Sequence, residues 1–100
     1  FDKDHFALYF SRATIPYDRD HIHDVNYYKH HGIYAYQRHF LETFSQLPQS
    51  PLEKLEALEQ LRALEYGYRI KVIVTPYDSV EVDTPAELAR VRDIILSGGA

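Results

Sequence analysis

The stretch Val82-Asp83-Thr84-Pro85-Ala86-Glu87-Leu88 does most to decide the fold, because it holds a nearly complete set of helix start signals. Thr84 can cap the helix with its hydroxyl, Pro85 suits the first helical position, and Glu87 is placed to reach back to the cap. Asp83 directly precedes the cap. The sequence therefore predicts a helix that begins at Pro85, with one carboxylate at its N-terminal edge.

Strand-like segments precede this helix in the sequence. Residues 70–74 form a short β-branched run typical of a buried strand, and residues 6–12 and 30–36 are also strand-like. Asp83 is then expected in a connection between a strand and a helix, the edge at which open α/β sheets bind ligands. The alternative is that Asp83 only adds negative charge at the helix N-terminus. The pattern as a whole predicts an α/β fold.

Two more helices are predicted in the middle of the chain. Residues 38–45 form a short helix, and residues 52–66 form a longer one that is capped by Ser50 and stopped by Gly67. Leucines recur in the longer helix at every third position, so their stripe winds around it. Most of this helix is therefore expected to be covered.

Glu59 lies among apolar neighbours in that longer helix. In a helical projection it falls between Leu52 and Leu55. A carboxylate in such surroundings either pairs with Arg62 or faces a polar pocket in which it accepts ligand hydroxyls. The sequence leaves both interpretations open.

Length and composition limit the classes of protein to which the chain can belong. The chain has 100 residues, enough for one modest domain, and it contains neither Met nor Cys. We expect it to be the C-terminal part of a longer protein, in a reducing compartment such as the cytoplasm. No apolar run approaches the ~20 residues of a membrane span. A net charge of −4 without a basic stripe argues against nucleic-acid binding.

Several polar side chains are candidates for ligand binding. On a strand, His30 and Tyr34 would share one face about 13 Å apart, a span that a sugar and a phosphate could fill, although packing is the alternative. Arg12 and Arg19 flank a turn and could bind an anion, with ordinary surface arginines as the alternative. A zinc site at 21–23 or 30–31 is disfavoured, because adjacent strand residues point to opposite faces and no third ligand is evident.

Five segments, taken in order, resemble the 3-deoxy-manno-octulosonate (Kdo) cytidylyltransferase family. They are FALYFSRATIPYDRD at 6–20, HHGIY at 30–34, SPLE at 50–53, LEQLRAL at 58–64 and VDTPAEL at 82–88. The resemblance implies the C-terminal part of a three-layer, Rossmann-like, nucleotide-diphospho-sugar transferase fold. Residues 1–100 would supply the sugar-binding and dimerisation part, without the N-terminal CTP-binding part.

The resemblance also implies an activity. The family transfers CMP from CTP to Kdo in the presence of Mg²⁺, giving CMP-Kdo and pyrophosphate for lipopolysaccharide synthesis, as a homodimer in the cytoplasm. Asp83 would be the catalytic residue and a magnesium ligand. The expected substrate-binding residues are Arg12, Arg19, His30, Tyr34, Glu59 and Gln60, with Arg12 placed to meet the sugar carboxylate.

The sequence departs from the family pattern at several points, and these departures leave alternative functions open. The chain has no Gly-rich loop that could hold the CTP phosphates, so the segment alone is expected to be inactive. Glu81 stands where the family has a small residue before Val82. The alternatives are a cytidylyltransferase for 8-amino-Kdo or sialic acid, or a non-catalytic dimerisation module.

Overall fold

The computed structural model of the protein describes residues 1–21, 24–78 and 83–98. His23, Glu81 and Val82, which the sequence patterns single out, lie outside these ranges. Among the described residues, none of the helices combines the length and apolar character needed to cross a bilayer.

Four helices occur in the described ranges. They are α1 at Arg38–Gln46, α2 at Pro51–Glu56, α3 at Gln60–Glu65 and α4 at Pro85–Leu96. The predicted start of α4 is confirmed, since Thr84 Oγ1 accepts a hydrogen bond from the backbone N–H of Glu87 at 3.1 Å. The predicted helix at 38–45 is confirmed as α1. Local capping signals were sufficient to predict the start of α4, whereas α1 begins without a side-chain cap.

The prediction of one continuous helix over residues 52–66 is wrong. The chain leaves the helix at Ala57, which adopts the left-handed conformation at φ 52° and ψ 45°, and α3 starts only at Gln60. The break explains the threefold leucine spacing, because the two short helices present different faces. Leu61 is 0% exposed, whereas Leu55 is 81% exposed.

The end of α3 follows the prediction that Gly67 stops the helix. Gly67 has a φ of 86°, a left-handed conformation that costs glycine little. Its N–H donates to Leu64 O at 3.0 Å, and the N–H of Tyr68 donates to Ala63 O at 2.9 Å. This pair of bonds is the Schellman motif, which satisfies carbonyls that the helix end leaves free.

The predicted strands are present only as extended segments. Phe6 and Lys71 form an isolated antiparallel bridge. Beside it, Ala7 N donates to Ile70 O at 2.8 Å and Val72 N donates to His5 O at 2.7 Å. No longer ladder forms among the described residues, so the prediction of three regular strands is wrong there. β-Branched and aromatic residues favour an extended backbone, but a strand also needs a hydrogen-bonded neighbour along its length.

A buried ion pair joins the first three helices. Arg62 of α3 donates to both carboxylate oxygens of Glu53 in α2, at 2.6 and 2.9 Å. The guanidinium also lies 4.8 Å from the centre of the Phe44 ring in α1 and donates to Leu47 O at 3.4 Å. Glu53 in turn accepts from the backbone N–H of Ser50 at 3.1 Å.

The ion pair makes stability depend on acid. The hydrogen bonds from Arg62 hold the pKa of Glu53 below its ordinary value of 4.5, although burial opposes the shift. Because the folded-state pKa is lowered, this contribution is fully present above the ordinary value. It is lost as the pH falls through the lowered pKa.

We predict that Glu53→Gln lowers the free energy of unfolding by about 3 kcal/mol, because it leaves the Arg62 charge buried without a partner. It should also flatten the loss of stability on the acid side. Urea denaturation at several pH values measures both effects. Glu42→Gln is the matched control, since its pair with Arg38 is exposed and worth under about 1 kcal/mol. Equal losses in the two variants would contradict a central role for the Glu53 pair.

Candidate functional site

Three of the predicted site residues come together in one polar cluster. His30 Nε2 and the Tyr34 hydroxyl form a short hydrogen bond, and their ring centres are 5.6 Å apart. The side-chain amide nitrogen of Gln60 lies 3.4 Å from both ring nitrogens of His30. The predicted separation of about 13 Å between His30 and Tyr34 is therefore wrong, because residues 30–36 do not form a straight strand.

Aromatic rings pack around this cluster. The Phe10 ring lies 4.9 Å from the His30 ring, and Tyr34 is followed by Tyr36 at 6.3 Å. Tyr36 stacks on Phe40 of α1 at 5.9 Å. The cluster thus has one polar side, formed by His30, Tyr34 and Gln60, and it is held against α1 by rings.

Burial controls the protonation of the two tyrosines. Burial first, and the nearby Tyr36 second, raise the pKa of Tyr34 to about 12. Burial also raises the pKa of Tyr36, with a smaller contribution from the charge of Glu59. The Tyr34 hydroxyl is protonated at neutral pH, as it would be at its ordinary pKa of 10, and it shares a hydrogen bond with His30 Nε2.

Arg12 is fixed at the end of α2. Its Nε donates to Glu56 O at 2.6 Å and its Nη2 donates to Ala57 O at 2.7 Å. Backbone carbonyls at a helix C-terminus have no hydrogen-bond donor within the helix, and here the Arg12 guanidinium is that donor. These contacts favour the left-handed turn at Ala57 that separates α2 from α3.

Glu59 follows this turn and lines an open pocket. The pocket has a volume of about 410 Å³ and is also lined by Gln49, Lys54 and Ala57. The backbone N–H of Arg62 donates to Glu59 O at 3.0 Å, but the Arg62 guanidinium bonds to the Glu53 carboxylate and makes no ion pair with the Glu59 carboxylate among the described residues. Of the two interpretations left open by the sequence, the structure favours the one in which Glu59 faces a pocket.

Arg19 and Asp83 are not joined to the cluster by any hydrogen bond among the described residues. Arg19 pairs with its neighbour Asp20 at 3.2 Å, and its side chain is 84% exposed. Asp83 is exposed immediately before α4. Within residues 1–21, 24–78 and 83–98, no group of three or more His, Cys, Asp or Glu side chains could hold a metal.

Two residues of the site were not predicted as functional. Phe10 was assigned to a strand, and its contact with His30 bridges 20 positions of sequence, which no local pattern signals. Glu56 was assigned to the continuous helix. Its carboxylate accepts from the Tyr9 hydroxyl at 3.0 Å and from the backbone N–H of Arg12 at 3.1 Å.

Sequence comparison defines the class of protein to which this site belongs. Residues 1–72 match the cytidylyltransferase family, and the match extends from Phe1 past the cluster of His30, Tyr34 and Gln60. The chain therefore belongs to the cytidylyltransferase family.

Two individual relatives match almost the whole of this chain. The chain is 69% identical over 96 residues to the 3-deoxy-manno-octulosonate cytidylyltransferase of Syntrophus aciditrophicus, covering 96% of this chain and 39% of that protein. It is 59% identical over 93 residues to the 8-amino-3,8-dideoxy-manno-octulosonate cytidylyltransferase of Shewanella amazonensis, covering 93% of this chain and 38% of that protein.

A solved structure confirms the fold relationship. The chain superposes with a TM-score of 0.88 on CMP:2-keto-3-deoxy-manno-octonic acid synthetase complexed with CTP, at 43% identity. The match covers 97% of this chain and 40% of that one. The chain thus has a nucleotide-sugar transferase fold and spans about two fifths of the length of these relatives.

We predict that Tyr34→Phe removes the bond to His30 while keeping the ring packing. The expected cost is about 1 kcal/mol of unfolding free energy, the usual worth of a hydrogen bond. The ¹⁵N resonance of His30 Nε2 should shift at the same time. Tyr17→Phe is the control, because Tyr17 is 82% exposed and its loss should change stability by under about 0.5 kcal/mol. An unchanged His30 resonance would contradict the bond.

Proposed function

We propose that this chain is part of a cytidylyltransferase that transfers CMP from CTP to the sugar acid Kdo and releases pyrophosphate. The observation that carries the proposal is the convergence of His30, Tyr34 and Gln60, three residues from the family motifs, into one polar cluster. The proposal includes a cytoplasmic homodimer in lipopolysaccharide synthesis. The remainder of the enzyme would supply the loop that holds the CTP phosphates.

The cluster suits a polyhydroxylated ligand. Tyr34 carries a hydroxyl and His30 an imidazole, which bond to each other, and Gln60 has both an amide donor and an amide acceptor. Glu59 adds a carboxylate on the neighbouring pocket. Convergent polar groups against aromatic walls are typical of small-molecule sites, in which the polar groups fix the orientation of the ligand.

The transfer requires orientation more than covalent participation by the protein. The anomeric hydroxyl of the sugar attacks the α-phosphorus of CTP in line, a new P–O bond forms, and the bond to pyrophosphate breaks. Holding the hydroxyl against the phosphorus converts a bimolecular encounter into an intramolecular step. His30, Tyr34, Gln60 and Glu59 would hold the sugar, while Arg12 would bind its carboxylate.

Asp83 fits a magnesium ligand by its chemistry and exposure. Its carboxylate makes no hydrogen bond or ion pair with another described residue, and it lies before the N-terminus of α4. Mg²⁺ is commonly bound by one or two carboxylates together with substrate phosphates, and Asp83 would share the ion with a second Asp from the remainder of the enzyme. Bound there, Mg²⁺ would neutralise negative charge on the phosphate oxygens.

A second candidate substrate is 8-amino-Kdo. The relatives named for the 8-amino sugar are about as similar to this chain as several of those named for Kdo, at 59% and 58% identity in two cases. The two sugars share the carboxylate and the anomeric hydroxyl, so the same transfer chemistry applies to both.

We expect the complete enzyme to release pyrophosphate only when CTP, a sugar acid and Mg²⁺ are all present. Omission of each component in turn tests this requirement, and parallel reactions with Kdo, 8-amino-Kdo and sialic acid rank the substrates. A folded enzyme that releases no pyrophosphate with any of the three sugars would overturn the proposal. It would favour a non-catalytic dimerisation module.

Asp83→Ala is expected to abolish magnesium-dependent turnover while leaving the fold intact, because Asp83 is an exposed residue. Pyrophosphate release over a range of Mg²⁺ concentrations, with circular dichroism as the folding check, measures this. Asp93→Ala, an exposed acidic substitution on α4, is the control. Near-normal turnover of the Asp83 variant would exclude that residue from the site.

A further inference from the structure

Glu56 contacts both the backbone and the side chain of Arg12. Its carboxylate accepts from the backbone N–H of Arg12 at 3.1 Å, and its backbone carbonyl accepts from Arg12 Nε at 2.6 Å. The other carboxylate oxygen accepts from the Tyr9 hydroxyl at 3.0 Å. The carboxylate of Glu56 therefore holds segment 9–12 in place, and the backbone carbonyls of Glu56 and Ala57 together fix the direction of the Arg12 guanidinium.

The same contacts connect Arg12 to the polar cluster. Phe10, two residues before Arg12, packs on His30 at 4.9 Å, and the Gln60 amide lies 3.4 Å from the His30 ring. Ala57, whose carbonyl accepts from Arg12, lies three positions before Gln60. Arg12 is therefore held by two segments, 10–12 and 57–60, that each also contact His30.

The charge state of Glu56 favours this arrangement. The hydrogen bond from the Arg12 backbone, followed by one from the Ser11 side chain, holds the pKa of Glu56 below its ordinary value of 4.5. The group is therefore an ionised acceptor at neutral pH. Glutamine in its place would keep only one acceptor oxygen and would turn an N–H group toward the donors.

We propose that Glu56 is a positioning residue that presents Arg12 to the carboxylate of the sugar acid. With Nε and Nη2 bonded to backbone carbonyls, the guanidinium has a fixed plane, and its Nη1 edge is left for an anion. The role of Glu56 rests on the proposed function, because it acts through an Arg12 that binds the sugar acid.

Steady-state kinetics of the complete enzyme test this role. Glu56→Ala should raise the KM for the sugar acid by about tenfold or more, because a misplaced binding group loses much of its effect. The KM for CTP should stay within about twofold, since the contacts of Glu56 with Tyr9 and Arg12 concern the sugar side. Glu56→Gln should give an intermediate KM for the sugar acid.

Glu65→Ala is the matched control. Glu65 also accepts a backbone N–H through its carboxylate, from Leu52 at 3.1 and 3.2 Å, but it does not contact Arg12. Its loss should lower stability and leave both KM values unchanged. A purely structural Glu56 would behave in the same way, so the separation of the two KM values distinguishes positioning from stability.

A double-mutant cycle identifies the path of the effect. If Glu56 acts through Arg12, then Glu56→Ala should have no further effect on the sugar KM in an Arg12→Ala background. Additive effects, or equal increases in the KM of both substrates, would overturn the positioning role while leaving the proposed function intact. A wild-type enzyme that is inactive with every sugar acid would overturn both.

Discussion

The ion pair between Glu53 and Arg62 is the interaction on which the rest of the described structure depends. It brings α2 and α3 together, and it also contacts Phe44 and Leu47 at the end of α1. Neither helix has more than six residues, which is too short for independent stability in water. The orientation of the turn that carries Glu59 and Gln60 therefore follows from tertiary contacts, among which this ion pair links α2 and α3 to α1.

The turn at Ala57 reflects a competition for the backbone carbonyls of Glu56 and Ala57, which can accept either from the next turn of a helix or from the Arg12 guanidinium. A continuous helix would use the carbonyls of Glu56 and Ala57 for its own next turn. The structure gives them to the Arg12 guanidinium instead, and Ala57 adopts a left-handed conformation that costs a non-glycine residue about 1 kcal/mol or more. Local strain thus accompanies a contact between segments that are more than 40 positions apart.

The sequence correctly predicted the helix start and stop that depend on residues close together in the chain. The cap at Thr84 and the stop at Gly67 depend on neighbouring residues, and both are confirmed, as is the helix at 38–45. The helix break at Ala57 and the contact of His30 with Tyr34 depend on partners distant in sequence or on the path of a connecting loop. No periodicity reveals such partners, so the longer helix and the separation across 30–34 were predicted wrongly.

The family motifs identified His30, Tyr34 and Gln60 before their proximity was known, whereas Phe10 and Glu56 required coordinates. The resulting cluster is assembled from three segments, at 9–12, 30–36 and 56–60, and it exists only when all three are docked. A ligand that contacts both the cluster and Arg12 would bind only the folded state of the chain and not the unfolded state. At a concentration one hundred times its dissociation constant, such a ligand would add about 2.7 kcal/mol to folding. If the sugar acid is such a ligand, as proposed, its concentration would contribute to the stability of the folded chain and so to its resistance to unfolding and proteolysis.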